Sequence, residues 1–464
     1  MGKKNPLYVD IQSRQDNVTG SGTIVTVSYP DGSRDVILID FGMFQGSEDQ
    51  TLKNSELKFN PSNLTAIILT HAHCDHCGRI PMLYRYGASC KTFMTEDTMS
   101  ISEIMLYDTA GIIENSFCDK IYNTEDVETA LKYFRACKVN DEINVNSNIK
   151  FKLIENAHIA GAVMVYMQFS YPGFENINIL FSGDYKEEDV FLNSTIVPEE
   201  ILNTPLTMML EATYGEDNRE FSEVGKFKQE ISEMILARKT LIIPAFAFGR
   251  TQRVLYELKM MQAEGLISRD IPIYLDGGMA IRITNRWGRL ESVKVSDFKP
   301  VGLKLVADCE MRKQIKNDEK QKIIVTTSGM VSFGPARDYV PYYIGLTNAC
   351  IYLTGYSTPD SMARAILEAE DGKPLTVCGI MCVKNAKVCS TGEFSSHAKQ
   401  SELVEFTQKF KKINFLLVNH GDENAKRDLG AKCMVKDNIK SVAIMDGRTD
   451  FRIGPYGLIK TLQM

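Results

Sequence analysis

Five short apolar runs in this chain each lead into an acid or a histidine, and that recurrence limits the fold more than any other feature. Asp35–Ile39 runs into Asp40, Thr65–Thr70 into His71, and Leu206–Leu210 into Glu211. Ile177–Ser182 reaches Asp184 after one glycine, and Phe415–Asn419 runs into His420. Short runs rich in Val, Ile and Leu that alternate with longer amphipathic stretches are the pattern of an α/β protein. In such folds the side chains just past strand ends converge on one edge of a sheet, where loops can build a site. Further strands are predicted over Thr23–Tyr29, Thr240–Pro244, Ile323–Thr327, Cys350–Thr354 and Asn414–Val418, and helices over Thr124–Cys137 and Ser401–Phe410.

The residues at these ends have metal-binding character. The chain has six histidines, and three of them fall within His71-Ala72-His73-Cys74-Asp75-His76. Neutral imidazole is the commonest protein metal ligand near neutral pH. Alternation in an extended segment puts His71 and His73 on one side. The turn that follows, expected to open a helix near Gly78-Arg79-Ile80-Pro81, brings Asp75 and His76 to a neighbouring point. That arrangement suits two ions better than one. His158 can complete a first site, His420 a second, and Asp184 can bridge both, giving each a zinc-like ligand set. Two ions ~3.5–4 Å apart can clamp an in-line displacement at phosphorus. With the ligands so placed, Asp40 is assigned to orienting a ligand or the nucleophile. Cys74 and Cys77 also have a CxxC spacing, but alternation turns Cys74 away from His73, and both read as buried thiols.

Composition narrows the function classes. At 464 residues, with 44% hydrophobic and 24% charged residues, the chain has the make-up of a soluble protein of two or three domains. Eleven cysteines without a secretory leader point to reduced thiols and a cytoplasmic location. No apolar run approaches the ~20 residues of a membrane helix, so no membrane partner is expected. A net charge of −6 argues against indiscriminate binding to nucleic acid, while a site with two divalent cations carries its own positive field.

In this order the residues resemble the metallo-β-lactamase fold. Thr70-His71-Ala72-His73-Cys74-Asp75-His76-Cys77-Gly78-Arg79-Ile80-Pro81 is similar to its HxHxDH signature, and Asp40, His158 and Asp184 match its first, third and fourth motifs. Leu210-Glu211-Ala212-Thr213-Tyr214-Gly215, Ser395-Ser396-His397-Ala398 and Val418-Asn419-His420-Gly421-Asp422 resemble motifs A, B and C of the β-CASP nucleic-acid-processing branch. Ile243 to Gln252, Thr327-Ser328-Gly329-Met330 and Gly355 to Arg364 follow that branch's inserted domain. The resemblance implies an αββα sandwich with an inserted β-CASP α/β domain that caps the active-site groove. Residues 1–215 and 384–464 would form the two parts of the lactamase-like domain and residues 216–383 the insertion.

The family pattern also implies roles. Two Zn2+ per chain would be held by His71, His73, Asp75, His76, His158, Asp184 and His420. Asp40, Asp75, Asp184, Glu211 and His397 would be catalytic, with His397 the general acid for the leaving oxygen, oriented by Glu211. Members acting on RNA carry His in motif C and the DNA-repair branch usually carries Val, so His420 favours RNA, single-stranded above all. Arg250, Ser328, Gly329 and Arg364 are expected to contact phosphates.

The resulting expectation is a zinc-dependent ribonuclease of the bacterial kind related to the cleavage and polyadenylation factor nuclease. About forty residues follow His420, which favours the compact endonuclease-like form over a longer one with an extra C-terminal domain. The alternatives are a hydrolase of DNA or a small phosphodiester on the same fold, and a silent scaffold, which would be expected to have lost ligands. A homodimer is left open. Two segments depart from the family pattern: Glu216-Asp217-Asn218-Arg219-Glu220 after motif A, and Phe333-Gly334-Pro335-Ala336-Arg337 where Gly-Gly-Arg often follows Ser-Gly-Met. Both bear on substrate preference.

Overall fold

A computed structural model of the protein describes residues 6–13, 15, 18–45, 52–115, 121–216, 224–355, 357 and 361–463. The departure at 217–220 therefore lies outside the described residues. The chain forms two compact units, one of residues 1–218, 290–294 and 396–464, the other of residues 219–289 and 295–395.

Alternation of side chains along a strand decides how the first unit is layered. Phe181, Met209, Phe415 and Leu417 point to one face, where they pack with Val9, Val25, Ile37, Ile39 and Ile68 of a facing sheet. Their neighbours Leu180, Met208, Leu210, Leu416 and Val418 point to the other, against Leu403 and Phe406 of the helix Gln400–Gln408 and Leu429 and Cys433 of the helix Glu423–Met434. The same sequence thus serves an inter-sheet core and a sheet–helix core.

One sheet has the strand order Gly457–Gln463, Thr449–Gly454, Tyr8–Ser13, Thr23–Ser28, Arg34–Ile39, Ala66–Ile68, Thr92–Met94, Phe134–Ala136. The other runs Val442–Ile444, Ile413–Asn419, Leu206–Glu211, Ile177–Phe181, Val163–Phe169, Ile149–Glu155, Ile143–Asn144. Beside the first sheet the helix Glu96–Glu114 packs on Thr124–Leu131 and on the strand Phe134–Ala136. This is the αββα sandwich. Arg34–Ile39 and Ala66–Ile68 are parallel neighbours, as are Ile177–Phe181, Leu206–Glu211 and Ile413–Asn419, so within each sheet the chemically equipped ends share an edge.

One predicted helix is too long. The helix starting at Thr124 stops at Leu131, and Phe134–Ala136 pairs in parallel with Thr92–Met94. Thr92 N–H donates to the Tyr133 carbonyl and Cys137 N–H to that of Met94, so sheet pairing overrides local helix propensity there.

In the second unit six strands are all parallel, in the order Lys304–Leu305, Ile273–Asp276, Ile323–Thr326, Thr240–Pro244, Ala349–Leu353, Lys387–Ser390. Continuous apolar runs such as Leu241-Ile242-Ile243 and Ile323-Ile324-Val325 are wholly buried, as strands covered on both faces must be. Because Lys387–Ser390 adds to this sheet, the unit continues past residue 383, where the sequence placed its end. Residues 290–294 belong to the first unit for a local reason. The Asp97 carboxylate accepts hydrogen bonds from Glu291 N–H, Ser292 N–H and the Ser292 hydroxyl, and the hydroxyl oxygen accepts from Gly161 N–H. No described helix is long and apolar enough to cross a membrane.

The inter-sheet core gives a direct test. Phe151 is 1% exposed and meets Phe93 of the facing sheet edge-on, with ring centroids 5.4 Å apart. Phe151→Ala is expected to destabilise the first unit by about 3–5 kcal/mol, measured as a lower denaturant midpoint in its unfolding transition.

Candidate active site

The backbone sets the metal-binding loop before its side chains do anything. Past Ala66–Ile68 the chain extends through His73 and then makes a single helical turn, Cys74–Cys77, capped by the His73 carbonyl. The helix expected near Gly78 thus begins four residues earlier, and a second one runs from Ile80 to Arg85. The carbonyls of Cys74, Asp75 and His76 accept hydrogen bonds from the N–H groups of Met43, Ser21 and Phe41. Gly42 lies so close that a Cβ there would sit 1.6 Å from the Asp75 carbonyl oxygen, so no other residue fits.

Two sets of donor atoms result. In the first, His73 Nδ1 is 3.1 Å from His71 Nε2 and 3.2 Å from His158 Nε2, and Asp184 Oδ2 is 3.6 Å from both His71 Nε2 and His158 Nε2. Ligands about 2.0–2.1 Å from a tetrahedral ion are separated by about 3.3 Å, so these atoms have the spacing of one coordination shell. In the second, His76 Nε2 lies 3.2 Å from His420 Nε2, 3.3 Å from Asp184 Oδ1 and 3.9 Å from Asp75 Oδ2, and His420 Nε2 lies 3.2 Å from Asp184 Oδ1. One carboxylate therefore faces both sets, one oxygen to each. Asp184 Oδ1 is buried and faced by the imidazole nitrogens of His76 and His420. A buried anionic oxygen so placed is balanced either by protonation of those rings or by a cation between them.

The outer ring nitrogens of His71, His76, His158 and His420 are tied down. Asp40 holds His76 Nδ1 at 2.8 Å while accepting from Thr70 N–H at 2.7 Å and the Thr70 hydroxyl at 2.8 Å. Thr70 Oγ1 is 3.0 Å from His71 Nδ1, the Ser396 carbonyl 2.8 Å from His158 Nδ1, and Thr213 Oγ1 3.1 Å from His420 Nδ1. Asp40 and His420 adopt left-handed backbone, φ 58° and 50°, a strain of about 1–3 kcal/mol each that these bonds sustain. Thr70, Thr213 and Ser396 stand inside the quoted motifs, but the sequence assigned them no role. Asn156 was also missed, although it stands two residues before His158. Its amide donates to the Asp184 carbonyl at 3.0 Å and its side-chain oxygen accepts from His158 N–H at 2.8 Å, which locks the two loops together.

Electrostatics agree with the geometry. Burial, its largest cause, holds His73 down at about 4 and pushes His71 and His158 well below the usual histidine value, so all three present neutral nitrogens. Burial opposes charge on His76 as well, but Asp184 and Asp40 on either side draw it well above the usual value. Burial likewise works to raise Asp184, yet His420 and His76 hold it well below the carboxylate range. Carboxylates that draw a proton onto a buried imidazole would draw a metal cation into the same place.

His397 stands apart from the two donor sets. Its Nδ1 is 3.0 Å from Glu211 Oε1 and 3.2 Å from Oε2, and Nε2 lies 3.9 Å from Asp184 Oδ2. Burial opposes its charge and Glu211 outweighs it, leaving His397 raised. Glu211 is itself fixed by Tyr185 N–H at 2.7 Å and Thr213 N–H at 3.1 Å. The described cysteines are free thiols. Cys77 is buried and donates to the Ala72 carbonyl, while Cys74 is partly exposed, its thiol raised to about 12 by burial.

The expected phosphate contacts lie in the second unit. Arg250 opens the helix Arg250–Ala263 and donates to the Thr354 carbonyl. The Ser328 hydroxyl is engaged locally, accepting from Ser332 and Phe333 N–H at 3.2 Å. Gly329 packs on Phe246. Arg364 pairs with Glu368 one helical turn on, at 2.7 Å, so its charge is partly spent.

Three family models match in chain order: the metallo-beta-lactamase superfamily over residues 20–88, the Beta-Casp domain over 251–366, and the Zn-dependent metallo-hydrolase RNA specificity domain over 384–444. The chain belongs to the β-CASP branch of the metallo-β-lactamase superfamily. It is a metal-dependent hydrolase by that membership. Similar proteins include Ribonuclease TTHA0252 of Thermus thermophilus, 28% identical over 92% of this chain and 96% of the relative. An RNase J-like protein of Methanocaldococcus jannaschii is 29% identical over 79% and 83%. Transcription termination factor FttA of Methanococcus maripaludis is 26% identical over 92% and 70%.

Asp40 provides the sharpest test of this β-CASP site, since it reaches His76 at the outer ring nitrogen and not at the one facing the donor set. Asp40→Ala is expected to weaken metal affinity about 10- to 100-fold, read by titration with a chelator and metal analysis of the dialysed protein.

Proposed function

We propose that this β-CASP protein is a zinc-dependent ribonuclease that cuts RNA endonucleolytically with two ions per chain. The observation that carries the proposal is the single carboxylate of Asp184 with a separate imidazole cluster on each oxygen. His71, His73, His158 and Asp184 would hold one ion, and Asp75, His76, His420 and Asp184 the other. Bound there, the ions supply Lewis-acid activation of a water and neutralise charge on the phosphoryl oxygens.

The protein's own residues account for the other half of the reaction. Hydrolysis breaks the bond from phosphorus to the 3′ oxygen, which leaves as an alkoxide and needs a proton. His397, kept charged by Glu211, directs Nε2 toward Asp184 and would donate the proton from there. Glu211 takes no part in the transfer; its two backbone donors and the His397 bond fix the ring's direction. Asp40, Thr70, Thr213 and Asn156 act through the residues they orient. Arg250, Ser328 and Gly329 are assigned to the phosphates of the RNA, with Arg364 the weakest of the four. Support for RNA as substrate comes from His420 in motif C, from the matched RNA specificity domain, and from the ribonuclease names of the relatives.

His397→Ala should abolish cleavage of end-labelled RNA while zinc analysis still finds two ions per chain; loss of both would make His397 a ligand. Asp184→Ala should release at least one ion, and a retained stoichiometry of two would contradict its shared position. Comparing unpaired RNA, DNA and a bis-aryl phosphate, with product ends mapped, checks the substrate. Internal cuts leaving a 5′ phosphate are expected, with RNA preferred.

A further inference from the structure

Of the twenty-two phenylalanines in the chain, two among the described residues stand exposed: Phe246 at 37% and Phe333 at 64%. They share one edge of the second unit's parallel sheet. Phe246 follows the strand Thr240–Pro244 by two residues, Phe333 lies in the loop after Ile323–Thr326, and those strands are hydrogen-bonded neighbours. Single exposed aliphatic residues are ordinary on a protein surface and need no cause. Two phenylalanine rings presented at the ends of adjacent strands are a different matter, since each leaves apolar surface in water that a stacked ligand would cover.

Neither ring is exposed through disorder of its surroundings. Ala245, Ala247 and Phe248, on either side of Phe246, are buried. Ser328 ties the other loop back on itself: its hydroxyl accepts from Phe333 N–H and its own N–H donates to the Phe333 carbonyl. Phe333 is thereby held over the end of its own strand. Gly329, in the loop that carries Phe333, adjoins the Phe246 ring, where a Cβ would fall 3.2 Å from Cδ2 and 3.0 Å from the Phe246 backbone nitrogen. A residue larger than glycine would crowd that ring. Arg250 begins its helix four residues after Phe246, on the same edge.

We propose that Phe246 and Phe333 are a stacking platform for unpaired RNA bases. The proposal rests on the assignment of this chain as a ribonuclease and narrows its substrate to single-stranded segments. Every base has a π-face, so such a platform is tolerant of sequence, whereas bases inside a duplex are already stacked and cannot reach it. Phe333 belongs to the segment in which this chain departs from the family pattern, which makes that half of the platform a property of this protein rather than of the fold.

Binding is measured by fluorescence anisotropy in the His397→Ala background, using an unpaired oligoribonucleotide, the same strand annealed to its complement, and an abasic oligomer of equal length. Phe246→Ala and Phe333→Ala should each weaken binding to the unpaired strand about 5- to 100-fold. Tyr at either position should restore it, and Leu, which keeps apolar bulk without a π-face, should not. The affinity gap between RNA and the abasic oligomer, present with both rings, should close in the double alanine variant. Leu variants that bind as tightly as the parent, or a gap that persists, would overturn the platform. A protein that with His397 intact hydrolyses a bis-aryl phosphate, yet in the His397→Ala background binds no RNA, would overturn the ribonuclease assignment itself, a separable result.

Discussion

Everything at the centre depends on how one buried carboxylate is shared. Asp184 puts one oxygen against His71 and His158 and the other against His76 and His420. Such a group is untenable as a lone anion in a protein interior, since desolvation alone costs several kcal/mol. Surrounded by imidazoles whose lone pairs converge at coordination distances, it becomes the favourable member of a cation site. The fold supplies this by ending a buried strand at Phe181, with Gly183 at φ 55° turning the chain so that one oxygen faces each donor set.

A metal centre of this kind is only as good as the groups that aim its ligands. Here each aiming group belongs to a different stretch of sequence. Asp40 reaches across the parallel pair of strands to hold both Thr70 and His76, Asn156 joins the His158 loop to the Asp184 loop, and Thr213 reaches His420. The pattern also separates roles. Four of the imidazoles directed at metal positions, those of His71, His76, His158 and His420, have their second nitrogen on a hydroxyl, a carbonyl or Asp40, whereas His397 belongs to neither donor set and is held by Glu211. Standing outside the donor sets is what fits His397 to carry a proton.

Much of this was legible in the sequence because the chemistry sits at strand ends. A strand fixes direction and alternation, so a titratable residue immediately beyond it has a readable position, and Asp40, His71, Glu211 and His420 could be placed from that rule alone. Asn156, Thr70 and Thr213 were not legible, since an amide or hydroxyl in a loop is as consistent with a turn as with a ligand's anchor, and only the tertiary fold brings its partner near. The strand Phe134–Ala136 was read as helix for a similar reason: its pairing partner lies forty residues earlier, and local propensity contains no trace of it. The return of residues 290–294 to the first unit depends on the Asp97 carboxylate, far away in sequence.

The charge of the chain bears on how it can hold a polyanion. With a net charge of −6 the surface as a whole repels nucleic acid, so affinity must come from a few local terms. Of the two arginines expected at phosphates, Arg364 is partly neutralised by Glu368, which leaves Arg250 and backbone donors as the Coulombic contribution of the second unit, beside the charge that bound cations would supply. Each phosphate neutralised on a single strand contributes about 0.7 to the logarithmic salt slope, so a protein relying on so few gains little affinity in this way. Stacking on aromatic faces is insensitive to salt and worth about 1–3 kcal/mol per base. An acidic ribonuclease with two exposed phenylalanines on one sheet edge has, in them, the kind of contact its charge obliges it to use.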